Sequence, residues 1–286
     1  MGKVDEVSWL TEPFQFPFMQ YAYLIAVLIG VPCALLSCFL VLKGWSLMGD
    51  AVSHAVFPGV VLAHVAGIPL AVGAFLSGLS AALLTGWLKE NSKIKEDTVM
   101  GIVFSGMFGF GLVLFTWVPT GLHLDHILFG NILGITEDDL LLSGVIGIAV
   151  TLGVLVKWRD LVLFSFDPAQ AQTLGLTTRV LHYGLLIALS LTIVATLRAA
   201  GIVLAVGLLI APGAIAFLVA RQFATMMVVA VLVTLFAAWA GITISFWIDS
   251  APAPTMILVL TALFVLAFVA KVFGPAARGS NSDEKA

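Results

Sequence analysis

The sequence predicts an all-α fold, a polytopic transmembrane helical bundle of eight or nine spans. Three observations predict it. Hydrophobic residues make up 61% of the 286 residues and charged residues only 10%, where a soluble domain carries about 25% charge. So few charges cannot cover a water-facing surface, and much of the exterior must meet lipid. The apolar residues fall in runs of the length a bilayer core demands, about 20 residues per helix. Lysines and arginines gather in alternate loops, as successive crossings require.

The apolar runs lie near 19–42, 49–66, 68–88, 98–118, 140–156, 180–197, 201–219, 224–247 and 254–272. That makes nine. The second and third are joined only by Gly67 and its neighbours, which leaves eight open. The chain therefore divides into one transmembrane domain at 19–272, an extracytoplasmic segment at 1–18 and a polar cytoplasmic tail at 273–286, read as disordered. Lys3 is followed by Asp5, Glu6 and Glu12, unlike the basic start of a secretory signal. The net charge of −3 argues against nucleic acid, which needs a basic footprint.

Each loop then takes a side. Lys43, the group Lys89, Lys93 and Lys95, the group Lys157, Arg159 and Arg179, then Arg221 and Lys271 all fall in loops of one parity. The intervening loops hold almost no basic residue, Arg198 excepted, and the loop 119–139 carries Asp125, Glu137, Asp138 and Asp139. The positive-inside rule places the N-terminus outside and the C-terminus in the cytoplasm. Cys33 and Cys38, at i and i+5 on one helix, cannot bridge each other and are read as small packing residues. Ala74, Gly78, Ala82 and Gly86 recur every four residues in the third run, and Gly101, Ser105 and Gly109 in the fourth. Small residues at that spacing let helices approach closely in lipid, within one subunit or between two.

Ionisable groups inside a span are costly and point to function. Asp50 and His54, in Gly49-Asp50-Ala51-Val52-Ser53-His54-Ala55-Val56-Phe57-Pro58-Gly59, stand at i and i+4 and share a helical face. A carboxylate with an imidazole suits a borderline divalent cation such as Mn²⁺, Fe²⁺ or Zn²⁺. Pro58 has no N–H, so a carbonyl one turn earlier is freed and can line a polar cavity. Two roles are open for the pair, part of an ion path or a structural bond that pins helices. Two ligands do not complete a metal site, so others must come from further helices or a second subunit. His64, at the outer end of the second run, is a candidate way-station, and His123, Asp125 and His126 in the outer loop are candidate collecting ligands. Each also reads as an ordinary interfacial or solvated residue.

In the cytoplasmic loop 157–180, Asp167 is a good N-cap, Pro168 suits the first helical position and Gly175 is a natural stop. They predict a helix of about two turns outside the membrane, Pro168–Leu174, presenting Ala171 and Leu174 to a partner or to the chain's own helix ends. There is no G-x-x-x-x-G-K-[ST] loop, H-E-x-x-H or G-x-S-x-G motif, so ATP hydrolysis and hydrolase chemistry of these types are not expected of this chain, nor a bound catalytic cofactor.

The Asp50-Ala-Val-Ser-His54-Ala-Val-Phe-Pro58-Gly59 motif, the Asp167-Pro-Ala…Leu174-Gly175 helix, the stretch from Gly201 through Pro212 to Ala216, and Ala253-Pro254-Thr255 resemble the permeases of bacterial ABC importers for manganese, iron and zinc. The resemblance spans about residues 20–272 and is closest to the manganese and iron branch. It implies a multi-pass subunit of the bacterial inner membrane that carries a divalent metal ion, Mn²⁺ first and then Fe²⁺ or Zn²⁺. It implies a second permease subunit, identical or related, ATP-binding cassette subunits and an external metal-binding protein. Asp50 and His54 match the family's polar positions on the translocation path, and Asp167–Gly175 its coupling helix, with Asp167, Pro168, Ala171, Leu174 and Gly175 as the contact residues. The competing reading, a proton-coupled secondary metal transporter, needs inverted repeats with broken helices, which the sequence does not show.

Overall fold

The computed structural model describes residues 12–118 and 132–273. The candidate residues His123, Asp125 and His126, the segment 1–11 and the tail 274–286 lie outside them. The described residues form helices and turns, with no strand among them.

Helix α1, Pro17–Lys43, is the central post. It begins with proline at its first position, where the missing N–H costs nothing, and stops at Gly44, whose φ of 70° suits a residue without Cβ. Ile25, Ile29, Leu36 and Phe39 on this helix are wholly buried, as are both cysteines. The thiols therefore pack: the Cys33 Sγ lies 3.5 Å from the Thr196 hydroxyl and the Cys38 Sγ donates to the Met226 carbonyl at 3.8 Å.

The second run is not one straight helix. Pro58 divides it into α2, Ser46–Ala55, and α3, Phe57–Ala66. Gly67, at φ 67°, then turns the chain into α4, Leu70–Asn91. The runs 49–66 and 68–88 are thus two crossings. They are pressed together at Gly59 and Gly73, where a Cβ on either would strike the other's carbonyl. Of the α4 stripe, Gly78 meets Val52, Val56 and Ser190, and Ala74 and Ala82 are buried, so this stripe serves contacts within the chain. The stripe on α5, Glu96–Trp117, does not: a Cβ at Gly101 or Gly109 would meet open space.

Helix α6, Glu137–Phe166, opens with three acids in its first turn and a Thr136 hydroxyl that accepts from the Asp139 N–H at 3.3 Å, both favourable at a helix N-terminus. The six-residue α7, Pro168–Thr173, follows, then α8, Thr178–Val219, α9, Phe223–Ile248, and α10, Pro252–Phe273.

By length and composition, eight helices among the described residues can cross a bilayer, α2 and α3 counting together. One of them crosses twice. A straight helix of 42 residues would run about 63 Å, twice the roughly 30 Å hydrocarbon core. Within α8, Gly201 departs from helical geometry, at φ 79° and ψ 175°. The partners on either side show a reversal. In the first arm, 178–200, His182 meets Trp45, just after Lys43, and Arg198 pairs with Asp139 at the far end of the bundle. In the second arm, 202–219, Gly207 faces Ile257 near the start of α10, Leu209 faces Gly49, and Gly213 sits on the Ser37 carbonyl near the Lys43 end of α1. The chain has returned to where the first arm began. Eight such helices with one crossing twice give nine crossings. All nine basic residues of the alternating loops then lie at one end, the basic end, and Arg198 at the acidic end has its own carboxylate at 2.7 Å.

Candidate functional site

The broken crossing α2–α3 carries the acid and imidazole. Pro58 offers no N–H to the carbonyl of His54, one turn back. The next carbonyl, that of Ala55, is taken by the Ser77 hydroxyl of α4 at 2.7 Å, so the break is held open by a neighbouring helix. Ser53, between the two, turns its hydroxyl back to donate to the Gly49 carbonyl at 2.7 Å and so belongs to the helix itself.

Asp50 Oδ1 and His54 Nε2 are 3.5 Å apart, with side chains 37% and 25% exposed. That separation is long for a hydrogen bond, which prefers about 2.9 Å. It suits two ligands of one ion: donor atoms each about 2.1 Å from a tetrahedral metal lie roughly 3.4 Å apart. The other side of the imidazole faces α5. Phe104 and Phe108 meet the ring edge-on at centroid distances of 4.9 and 5.2 Å, and Nδ1 is buried with no hydrogen-bond partner. Phe57 continues the aromatic wall toward Phe108 and Phe115. Sequence reasoning missed this wall. Its signal was present, because Phe104, Phe108 and Phe115 recur at intervals of four and seven on one face of α5.

Among the described residues, no third His, Cys, Asp or Glu joins the pair. His64 is exposed in the last turn of α3, ten residues or about 15 Å along the axis from His54. The structure brings Asp50 and His54 together and leaves His64 apart. The pair stands beside α5, whose outer face is uncovered: Ile102, Phe110 and Trp117 are all exposed.

At the basic end, α7 is built by its caps. The Asp167 carboxylate accepts from the Ala169 and Gln170 N–H groups, both at 2.9 Å. At the other end Gly175, at φ 80°, lets its own N–H reach the Gln172 carbonyl and that of Leu176 reach the Ala171 carbonyl at 3.0 Å each. This is a Schellman motif, which needs a left-handed residue in that place. Pro168 and Leu174 are exposed, as is Phe166 just before the helix. Ala171 is not. It is fully buried within the chain, against α6 and α8, so the face expected to meet a partner through Ala171 is the face that seats α7 on its own bundle. The outward face runs through Phe166, Pro168 and Leu174.

The comparisons agree with this geometry. The solved structure described as PsaBC from Streptococcus pneumoniae in complex with Fab superposes with a TM-score of 0.82 at 33% identity, over 92% of this chain and 95% of that one. The chelated iron transport system membrane protein YfeD of Yersinia pestis is 55% identical over 262 residues, 92% of this chain and 88% of its own length. The manganese transport system membrane protein MntB of Synechocystis is 44% identical over 261 residues, 91% of this chain and 85% of its own. The ABC 3 transport family matches residues 15–271. With nine crossings, a broken helix bearing an acid and an imidazole, and a capped helix turned outward at the basic end, this chain belongs to the ABC 3 transport family and is a membrane permease subunit, with ATP hydrolysis on a separate subunit.

Proposed function

We propose that the chain forms the membrane path for a divalent metal ion, Mn²⁺ first and Fe²⁺ or Zn²⁺ after it, in an ATP-driven importer of a bacterial inner membrane. The observation that carries this is the Asp50–His54 pair, spaced as two ligands of one ion on a crossing broken by Pro58. Oxygen and imidazole nitrogen suit these borderline ions. The relatives point the same way, being named for iron and for manganese transport. The ion is cargo, and its remaining ligands come from water, further helices or a second subunit.

A half-exposed carboxylate and imidazole on a membrane-spanning wall are costly against lipid. A second permease subunit, identical or related, laid against the exposed stripe of α5 encloses the pair in a polar path. An external metal-binding protein delivers the ion at the acidic end, where His64 is a first contact; the sequence candidates His123, Asp125 and His126 lie outside the described residues. At the basic end, the outward face of α7, with Asp167, Pro168, Leu174 and Gly175, sits in a groove of the ATPase subunit.

Reconstitution of the chain with its ATPase and binding-protein partners in liposomes tests this. Labelled Mn²⁺ should enter only with ATP and the loaded binding protein, and unlabelled Fe²⁺ or Zn²⁺ should compete. Metal entry by the permease alone, driven by a pH gradient, would overturn the ATP-driven reading.

A further inference from the structure

The outer side of the bundle holds a groove unrelated to the Asp50–His54 pair. It lies between α6 and the first arm of α8 and has a volume of about 430 Å³. At the acidic end the two helices are laced together, Asp139 to Arg198 at 2.7 Å and the Ser143 hydroxyl to the Ala195 carbonyl at 3.2 Å. Toward the basic end their outer faces part. Two glycines make the space: a Cβ at Gly153 or at Gly184 would meet nothing within 4 Å. Val154, Leu161 and Leu185, all buried, form the floor.

Three features identify the occupant. The first is length. Along α6 the groove runs from Ala149 to Leu161, about 18 Å, and half of a roughly 30 Å hydrocarbon core is about 15 Å. It is as long as one leaflet. The second is polarity. Its polar lining residues are Lys157, Asp160 and Thr177, and all three sit at the mouth, at the basic end. The third is charge. Lys157 Nζ donates to Asp160 at 3.2 Å, and an ammonium has three donors. Two remain for another acceptor. Arg179 is exposed in the first turn of α8, next to the lining residue Val180. Half-buried Trp158 and half-exposed Tyr183 flank this level, where aromatic residues mark the edge of a bilayer.

We propose that this groove is a binding site for one anionic phospholipid of the basic-side leaflet, with an acyl chain between α6 and α8 and the phosphate on Lys157 and Arg179. Basic clefts between membrane helices on the cytoplasmic side favour such headgroups. The Asp160 carboxylate stands beside the phosphate and is held by Lys157. The two walls are the helices that flank α7, so the lipid lies directly behind the helix turned toward the ATPase.

The proposal needs only that the chain crosses a membrane, and its test is separate from metal transport. The full chain, purified in detergent, is titrated with phosphatidylglycerol or with phosphatidylcholine of the same acyl chains, and bound lipid is counted by native mass spectrometry. The wild-type chain should retain one phosphatidylglycerol in preference to phosphatidylcholine. Gly184→Leu places its side chain in open space, so the fold survives, and it should lose that lipid. Lys157→Gln should keep an apolar site but cut the phosphatidylglycerol preference about fivefold, the effect of one cation at a membrane surface. Equal retention of both lipids by the wild-type chain would overturn headgroup recognition. Unchanged lipid retention in Gly184→Leu would show only a surface annulus. Loss of self-association in that variant with lipid unchanged would assign the groove to a second copy of the chain. Each of these three results ends the proposal.

Discussion

A buried imidazole nitrogen without a partner is an unusual expense, of about 1–3 kcal/mol when a donor or acceptor goes unmet. His54 bears it because Phe104 and Phe108 close on one side of the ring while Nε2 faces Asp50. A ring wedged in this way cannot swing its Nε2 away from Asp50, so the aromatic wall fixes the direction of the imidazole. Asp50→Asn and His54→Gln should each abolish ATP-dependent Mn²⁺ uptake. The fold should persist, since a partly exposed acid–imidazole contact at 3.5 Å contributes only about 0–1 kcal/mol. Uptake with the assembled complex, beside a thermal melt of the permease, checks both halves. Phe108→Ala should leave the pair chemically intact yet reduce uptake, because the ring gains freedom; normal uptake in that variant would remove the wall from the mechanism. That Asp50 and His54 lie together was legible in the sequence, because i and i+4 spacing is read directly from a helix. The recurrence of Phe104, Phe108 and Phe115 on one face was also there to be read, but not that this face turns toward α2, which depends on packing between separate crossings.

Two features of the fold rest on glycines. Helix α7 ends where Gly175 enters the left-handed region, which costs other residues about 1–2 kcal/mol. Gly175→Val should unseat the last turn of α7. Metal-stimulated ATP hydrolysis by the complex should fall severalfold, while the binding protein still holds its metal. The α3–α4 contact rests on Gly59 and Gly73, each against the other's carbonyl. Gly59→Leu overpacks this contact and should destabilise the permease by about 1–3 kcal/mol or more, seen as a lower melting temperature. Gly109→Ala, on the open face of α5, should leave the isolated chain unchanged. The caps of α7 were fully legible, since Asp167, Pro168 and Gly175 act through local geometry. The inward turn of Ala171 was not, because it depends on where α6 and α8 lie.

Over the whole molecule, the count of crossings decides which loops share a side. With nine, Gln222 and Lys93 lie at the same end of the bundle and Ala251 at the other. With a single crossing at α8, Gln222 would change sides. Single cysteines at these three exposed positions, with Cys33 and Cys38 replaced, should separate the cases in intact cells. An impermeant thiol reagent should label Ala251→Cys only, and Gln222→Cys should react only after lysis, as Lys93→Cys does. The sequence showed the two runs and the alternating charges. It did not show that the turn between them would be buried, because a helix break at Gly201 leaves no polar loop to mark it.

That buried turn bears on how the protein is made. Ala199, Ala200 and Ile202 around Gly201 are nearly without exposure, so the reversal is enclosed by other helices and not by water. Backbone groups released at a break in lipid must find protein partners. The arm 178–200 meets partners that are already made, Trp45, Asp139 and Ser143. The arm 202–219 also meets Ile257 of α10, which is still to be synthesised. The first half of the hairpin can therefore settle as it is made, and the second half is complete only when α10 arrives.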